Sequence, residues 1–322
     1  MAQFLPYQRV AIIGAGHVGA TTAYALMLRA LFREIVLVDS DAKRAAAEAR
    51  DIADANALAR PAKIWAGDYA DAAAASVAIV TAGAATHGKE TRLSVASRSA
   101  VIVRDCISQL CAAGFQGILL VASNPVDLMA MVAFGCAGLP ANRVIGTGTL
   151  LDSSRLRASL AARLEVAPDT VDALVLGEHG DSEVALFSTV RIGGLALADF
   201  SPDARELDRN AVACAVRDAG YEIIGGKGYT SFGVATAIVR ICEAIVRDER
   251  AVLPVSSRLD GPPGLPDVWM SMPCIIGAGG VERVLIPPVS EEEAAGLAAS
   301  AEKLRAAFGE LQQDLLVKDV AG

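Results

Sequence analysis

Val10-Ala11-Ile12-Ile13-Gly14-Ala15-Gly16-His17-Val18-Gly19 is the stretch that decides the fold. Four apolar residues run into a G-x-G-x-x-G pattern, and an alanine-rich stretch follows to about residue 29. An apolar run without a polar break reads as a strand buried on both faces. Glycines at these spacings permit a tight turn and close approach of a pyrophosphate to the backbone. The free N–H groups of the following helix then face the phosphates. Twenty residues after Gly19, at the end of the run Glu34-Ile35-Val36-Leu37-Val38, stands Asp39. A carboxylate there accepts hydrogen bonds from both hydroxyls of an adenosine ribose and repels a 2′-phosphate, which selects NAD over NADP. The glycine pattern alone also marks ordinary turns; strand, helix and acid in register make it a dinucleotide site.

Working outward, a helix is predicted over 42–57, and further apolar runs occur at Val77-Ala78-Ile79-Val80-Thr81-Ala82 and Gly117-Ile118-Leu119-Leu120-Val121-Ala122. Such runs separated by helices indicate parallel strands covered on both faces. The predicted class is therefore α/β, with an N-terminal doubly wound Rossmann domain over 1–147. From 148 to 322 the pattern changes. Helices are predicted at 153–164, 203–224, 233–247 and 291–315, and short strand-like runs at 174–176, 183–192, 251–255 and 274–276. This mixture predicts a smaller C-terminal α+β substrate domain.

The 322 residues are 53% hydrophobic and 20% charged, the balance of a globular chain. A net charge of −8 without a long basic run argues against nucleic acid or an anionic membrane as partner. The six cysteines (Cys106, Cys111, Cys136, Cys214, Cys242, Cys274) form no C-x-x-C pair, which suits reduced thiols in the cytosol. No signal-peptide pattern and no apolar run of spanning length is present, so a cytoplasmic location is expected.

Chemistry concentrates in Gly177-Glu178-His179-Gly180-Asp181-Ser182-Glu183. His179, one of only three histidines, follows the apolar run Leu174-Val175-Leu176 and is flanked by glycines. A side chain that titrates near neutrality is thus presented at a strand end. Taken alone, the segment reads equally well as a surface turn. Asp152-Ser153-Ser154-Arg155 places an acid and an arginine on one helix face. The arginine can hold a carboxylate through two parallel bonds, and the aspartate can hold a histidine in one tautomer; a local ion pair is the plainer alternative. Residues 83–92, after the third apolar run, are polar and contain two glycines, which suits either a solvated loop or a lid carrying Arg92. Glu178, His179, Asp181 and Glu183 offer potential metal donors, but without a second histidine or a cysteine pair no metal is expected.

Together these segments resemble the L-lactate/L-malate dehydrogenase family from end to end. The matching pieces are the glycine loop, Asp39, Thr81-Ala82-Gly83-Ala84, Glu90-Thr91-Arg92-Leu93, Ser123-Asn124-Pro125-Val126-Asp127, Leu151-Asp152-Ser153-Ser154-Arg155, Gly177 to Glu183, and Lys227-Gly228-Tyr229-Thr230-Ser231. The resemblance implies NAD as cofactor and a small 2-hydroxy or 2-oxo acid as substrate. It makes His179 the proton acceptor and donor, with Asp152 orienting it. Arg155 would clamp the substrate carboxylate and Arg92 close over the carbonyl. Asn124 would lie near the reacting oxygen, and Thr230 would line the pocket. Gly14, Gly16, Val18, Gly19, Asp39, Arg44, Tyr69, Gly83, Ala84, Ala122, Asn124, Thr147 and Val234 fall at cofactor-side positions, Val234 against the nicotinamide.

Two positions depart from the family's patterns. Where lactate members carry Gln and malate members Arg, this chain has Thr86. A second substrate carboxylate then lacks an obvious partner, although His87 and Lys89 are near in sequence, and a side chain longer than methyl gains room. A lactate-type monocarboxylate is expected first. The alternatives are malate, a longer 2-oxo acid, and, from a different class, a catalytically idle NAD-binding protein. In members activated by fructose 1,6-bisphosphate an arginine and a histidine bind the effector; here they are Arg157 and Asp172, so no such activation is expected. The resemblance also implies a homo-oligomer, with a tetramer favoured over a dimer.

Overall fold

The computed structural model describes residues 9–59, 61–84, 92–260 and 268–321, the side chains of 92–93 and 316–321 excepted. Six parallel strands build its first half: β1 (Arg9–Ile13), β2 (Glu34–Val38), β3 (Lys63–Ala66), β4 (Val77–Val80), β5 (Ile118–Val121) and β6 (Val144–Gly146). Helices α1 (His17–Arg29), α2 (Ala42–Asn56), α3 (Tyr69–Ala73), α4 (Arg92–Ala112) and α5 (Val126–Ala137) connect them. The spatial order β3-β2-β1-β4-β5-β6 reverses between β1 and β4, and ligands bind beyond the strand ends at such a reversal.

The unbroken apolar runs follow from two cores. Ala11, Ile13, Val36 and Val80 face one, with α4 and α5; Val10, Ile12, Ile35 and Ile79 face the other, with α1 and α2. Because side chains alternate across a strand, both parities must be apolar.

The second half contributes α6 (Leu150–Arg163), β7 (Val171–Asp172), β8 (Val175–Leu176), β9 (Val184–Ala185), β10 (Arg191–Ile192), β11 (Leu195–Ala196), α7 (Leu197–Phe200), α8 (Pro202–Arg205), α9 (Arg209–Lys227) and α10 (Phe232–Val246). Strands β12 (Ala251–Leu259), β13 (Val268–Gly277) and β14 (Gly280–Val284) and helix α11 (Glu291–Ala321) complete it. The expected strands at 251–255 and 274–276 do not stay within the second half. They lie in an antiparallel extension of the first sheet, with β12 joined to β6 by the pair Ser256↔Gly146, so that one nine-stranded sheet runs through both halves. The run 183–192 is mostly turn, with two residues each in β9 and β10. Asp208 caps α9 by accepting from the Ala211 N–H, so the helix begins later than 203. A third core of Leu156, Leu160, Val175, Ile192 and Val212 belongs to the second half alone. Among the described residues no helix is long and apolar enough to cross a membrane.

The turn after β1 is built from its glycines. Gly14 has φ +106°, and a Cβ there would lie 2.6 Å from the Ala82 nitrogen after β4. A Cβ on Gly19 would collide with the Gly14 carbonyl oxygen, whereas one on Gly16 would meet nothing within 4 Å. Gly19→Ala is therefore expected to lose at least about 2 kcal/mol in urea unfolding, the scale of forced overpacking. Gly16→Ala should stay within about 1 kcal/mol of the parent, as for a capping change, yet bind NADH more weakly. Equal stability of Gly19→Ala and the parent would contradict the turn as described.

Candidate active site

His179 sits just beyond β8, and its loop is pinned by three other elements, β13, α11 and α5. Gly177 exchanges both backbone hydrogen bonds with Ser271 of β13, at 3.0 and 2.9 Å. The Glu178 N–H donates to Ser300 Oγ of α11 at 2.8 Å. The His179 N–H donates to Asp127 Oδ2 of α5 at 2.8 Å. Glu178 in turn accepts from Lys303 Nζ at 2.9 Å and from the Ser182 hydroxyl. Two backbone donors of this polar loop, those of Glu178 and His179, are thus satisfied by side chains distant in sequence and a third, that of Gly177, by a β13 carbonyl, which holds the imidazole in place.

The ring is fixed by α6. Asp152 lies in that helix's first turn, 2% exposed, and its Oδ2 is 2.6 Å from His179 Nδ1. A carboxylate only accepts, so Nδ1 carries the proton and Nε2 remains to meet a ligand. Asp152 Oδ1 accepts from Arg155 Nη1 at 2.9 Å, using one of the guanidinium's five N–H donors. Burial works against charge on His179 and Asp152, yet their pairing favours it. Burial would lower the His179 pKa, but the Asp152 carboxylate, with help from Asp127 and Glu183, raises it to about 9. Burial would raise the pKa of Asp152, but the imidazole and the guanidinium hold it below the ordinary value. Asp127, fully buried, is pushed up to about 6 by burial.

Asp152, Arg155 and His179 border a cavity of about 420 Å³ that also contacts Val18, Ala122, Asn124, Thr147, Thr230 and Val234. The predicted residues thus fall into two groups. Val18, Ala122, Asn124, Thr147, Asp152, Arg155, His179, Thr230 and Val234 share the cavity. Gly14, Gly16, Gly19, Asp39, Arg44, Tyr69, Gly83 and Ala84 lie outside its lining, on segments that follow β1, β2, β3 and β4. Thr86 and the side chain of Arg92 lie outside the described residues, as do His87 and Lys89.

The residues after the strand ends suit a dinucleotide. The first turn of α1 has no side-chain cap, so its N–H groups stay available for phosphate. Asp39 Oδ2 accepts from the Ala15 N–H at 2.6 Å, which sets the acid beside the glycine turn. Thr81 Oγ1 donates to the Gly14 carbonyl at 2.7 Å and ties the β4 loop to that turn. Arg44 is exposed and pairs with Asp41 at 3.9 Å. Tyr69 is directed to Cys106 of α4, and burial raises its pKa.

Several contributors went unassigned in the sequence. Asp127 lies within a quoted motif, but its hold on the His179 backbone depends on a 52-residue separation that no local pattern shows. Ser300 reaches the site from α11, 122 residues from Glu178, with no sequence signal at all. Arg217 and Tyr221 of α9 line the cavity, and Tyr221 donates to Asp181 at 3.2 Å. Glu183 lines it too, with a carboxylate oxygen within 4.8 Å of both Asp152 and His179 donors. The three together have the donor types of a cation site; Asp152, however, is already shared between an imidazole and a guanidinium. A second cavity, about 410 Å³, lies among Asn142, Arg258, Arg283 and their neighbours and contains none of the predicted site residues.

The whole chain has known counterparts. A model of the lactate/malate dehydrogenase NAD binding domain matches residues 8–146, and one of the lactate/malate dehydrogenase alpha/beta C-terminal domain matches 149–314. The L-lactate dehydrogenase of Thermus aquaticus is 44% identical over 94% of this chain and 99% of its own length. That of Acetivibrio thermocellus is 41% identical over 89% of this chain and 92% of its own. A lactate dehydrogenase structure from a Medee basin deep-sea metagenome library superposes with a TM-score of 0.92 at 36% identity, covering 96% of this chain and 100% of that one. The ligand-bound minor L-lactate dehydrogenase of Enterococcus mundtii gives 0.91 at 37% identity, covering 94% and 98%.

The imidazolium is held by one buried carboxylate, so removing that charge is expected to release it. In Asp152→Asn, burial is opposed only by the lesser pulls of Asp127 and Glu183, and the His179 pKa should fall from about 9 toward its ordinary value of about 6.5. NMR titration of the ring protons reads this directly. A pKa that stays near 9 would mean the charge is held by other groups.

Proposed function

The chain belongs to the lactate/malate dehydrogenase family, and on that premise we propose that it is an NAD-dependent L-lactate dehydrogenase. The observation that supports this reading best is the pair of cations on Asp152: a proton donor and a carboxylate clamp set by one buried anion on the wall of one cavity. A 2-oxo acid needs both, one for its keto oxygen and one for its carboxylate. Thr86, where the family resemblance places the residue that reads the substrate side chain, carries no charge. That favours a monocarboxylate, since burying a second carboxylate without a partner is costly.

In pyruvate reduction Arg155 takes the substrate carboxylate with the N–H donors that Asp152 leaves available. His179 Nε2–H then points its proton at the keto oxygen. NADH, when bound, would supply the hydride to the carbon that bears this oxygen. As the carbonyl becomes an alcohol, His179 gives up its proton, and Asp152 keeps the neutral ring in the same tautomer. In the reverse direction neutral His179 removes the hydroxyl proton, and Asp152 stabilises the imidazolium that forms. Arg92, on the segment read as a lid, polarises the carbonyl when the site closes, and Asn124 hydrogen-bonds beside the reacting oxygen. Thr230 borders the side-chain end. Val18, Thr147, Ala122 and Val234 receive the nicotinamide end of the dinucleotide. The glycine loop and Asp39 receive its pyrophosphate and adenosine ribose, and Arg44, Tyr69, Gly83 and Ala84 border that path. The divide between cofactor and substrate domains at 147/148 falls between β6 and α6.

The wider reading is a cytoplasmic homo-oligomer, a tetramer, that acts on a free small molecule. The six cysteines are all unbridged, and Tyr24, Leu28 and Phe232 are exposed apolar side chains of the kind a subunit interface covers. Activation by fructose 1,6-bisphosphate is not expected. Arg157 Nε donates to the Ala173 carbonyl at 3.2 Å, and Asp172 is exposed with a charge that repels phosphate.

Steady-state NADH oxidation with pyruvate, oxaloacetate and longer 2-oxo acids tests the reading. Pyruvate is expected to have the highest kcat/KM, unchanged by fructose 1,6-bisphosphate. Preference for oxaloacetate would turn the assignment to a malate enzyme. Arg155→Lys removes the planar fork. Losing one charge-assisted bond, worth about 1.5–3 kcal/mol, should lower kcat/KM for pyruvate by about 10- to 150-fold.

A further inference from the structure

Three acids from the His179 loop line the cavity, and two are already engaged. Glu178 accepts from Lys303 and Ser182, and Asp181 accepts from Tyr221. Among the described residues no hydrogen bond or ion pair holds the carboxylate of Glu183. It is nevertheless half-buried, and one of its oxygens comes within 4.8 Å of an Asp152 carboxylate oxygen and a His179 ring nitrogen. The charged groups that bear on it are Asp152 and Arg155 from α6, His179 from its own loop, and Arg217 from α9. Burial and the negative charge of Asp152 raise its pKa to about 8, against the pull of His179, Arg155 and Arg217.

This places a second acid on the wall of the cavity it shares with the clamp that, on the reading above, receives the substrate carboxylate. An ionised Glu183 would set one anion against another in a site where burial weakens screening. The protonated acid carries no such repulsion. We propose that Glu183 gates the substrate carboxylate by its protonation state, admitting the anion to Arg155 as a neutral acid and opposing it once ionised. The inference rests on the lactate-type reading of the same cavity. It adds to His179 a second proton that must be in place before a 2-oxo acid binds.

A structural role for Glu183 leads to the opposite sign, so the two can be told apart. If Glu183 served only to help keep His179 charged, removing its negative charge would lower the His179 pKa. Binding at high pH would then weaken. If Glu183 is a gate, removing its charge strengthens binding at high pH. The experiment compares wild type with Glu183→Gln from about pH 6 to 10, using KM for pyruvate and Kd for oxamate on the NADH complex. At about pH 6 the two proteins should agree within about twofold. At about pH 9 the variant should bind about three- to tenfold more tightly than wild type, as follows from an acid titrating near 8 beside a histidine titrating near 9. Equal or weaker binding by Glu183→Gln at that pH overturns the gate.

A measurement on wild type alone guards against a variant that fails to fold. Above about pH 9 the slope of log Kd for oxamate against pH should approach about two, one proton from each group. A slope that stays near one overturns the proposal. Wild type that neither turns over pyruvate nor binds oxamate overturns the lactate-type reading itself, and the gate with it.

Discussion

Asp152 is almost wholly buried at the start of α6, and its two oxygens hold different partners, His179 on one side and Arg155 on the other. A carboxylate taken out of water without compensation costs several kcal/mol, and breaking such a pair from one side leaves that cost exposed. Here the compensation is also the chemistry. The imidazole and the guanidinium are brought to a fixed separation because both must reach the same anion. The field of that anion keeps His179 protonated well above its ordinary range. The three groups therefore act as a unit, and changing one alters the charge state of the others.

The rest of the fold meets the demands of that anion. Asp152 and His179 are 27 residues apart and belong to different elements, α6 and the loop after β8. Their closeness depends on the third core, where Leu156 and Leu160 of α6 pack with Val175 of β8. The loop itself is held by Asp127 from the first half and by Ser271 and Ser300 from late in the chain. Extension of the parallel sheet through β12 and β13 carries Ser271 beside Gly177. The nine-stranded sheet is thus part of the site's support, as well as the platform on which a dinucleotide would lie.

Much of this was legible in the sequence. The buried parallel strands could be read because both faces are covered, which leaves unbroken apolar runs at β1, β2, β4 and β5. The glycine turn could be read because backbone approach and positive φ admit few residue types, as at Gly14. Asp152 and Arg155 could be placed together because helix spacing is local. The destination of β12 and β13 was not legible, since a strand pattern does not say which sheet edge it joins, and a single pair, Ser256↔Gly146, makes the junction. The apolar alternation in 183–192 suggested a strand, but Phe187, Ser188 and Thr189 form turns between two very short ones. Asp127 and Ser300 escaped because each acts on a backbone N–H far away in sequence. Glu183 stood in the quoted motif, yet only the fold shows that it turns inward beside Asp152.

One measurement bears most directly on the central claim, that a single imidazolium held by Asp152 is the proton donor. His179→Asn retains hydrogen-bonding capacity but cannot deliver a proton. In a single-turnover assay with NADH and pyruvate, the hydride-transfer rate should fall by about 100- to 10,000-fold, the usual worth of a positioned acid. NADH affinity, measured by fluorescence, should stay within about twofold of wild type. A variant that still oxidises NADH with pyruvate at close to the parent rate would place the proton donor elsewhere and contradict the account.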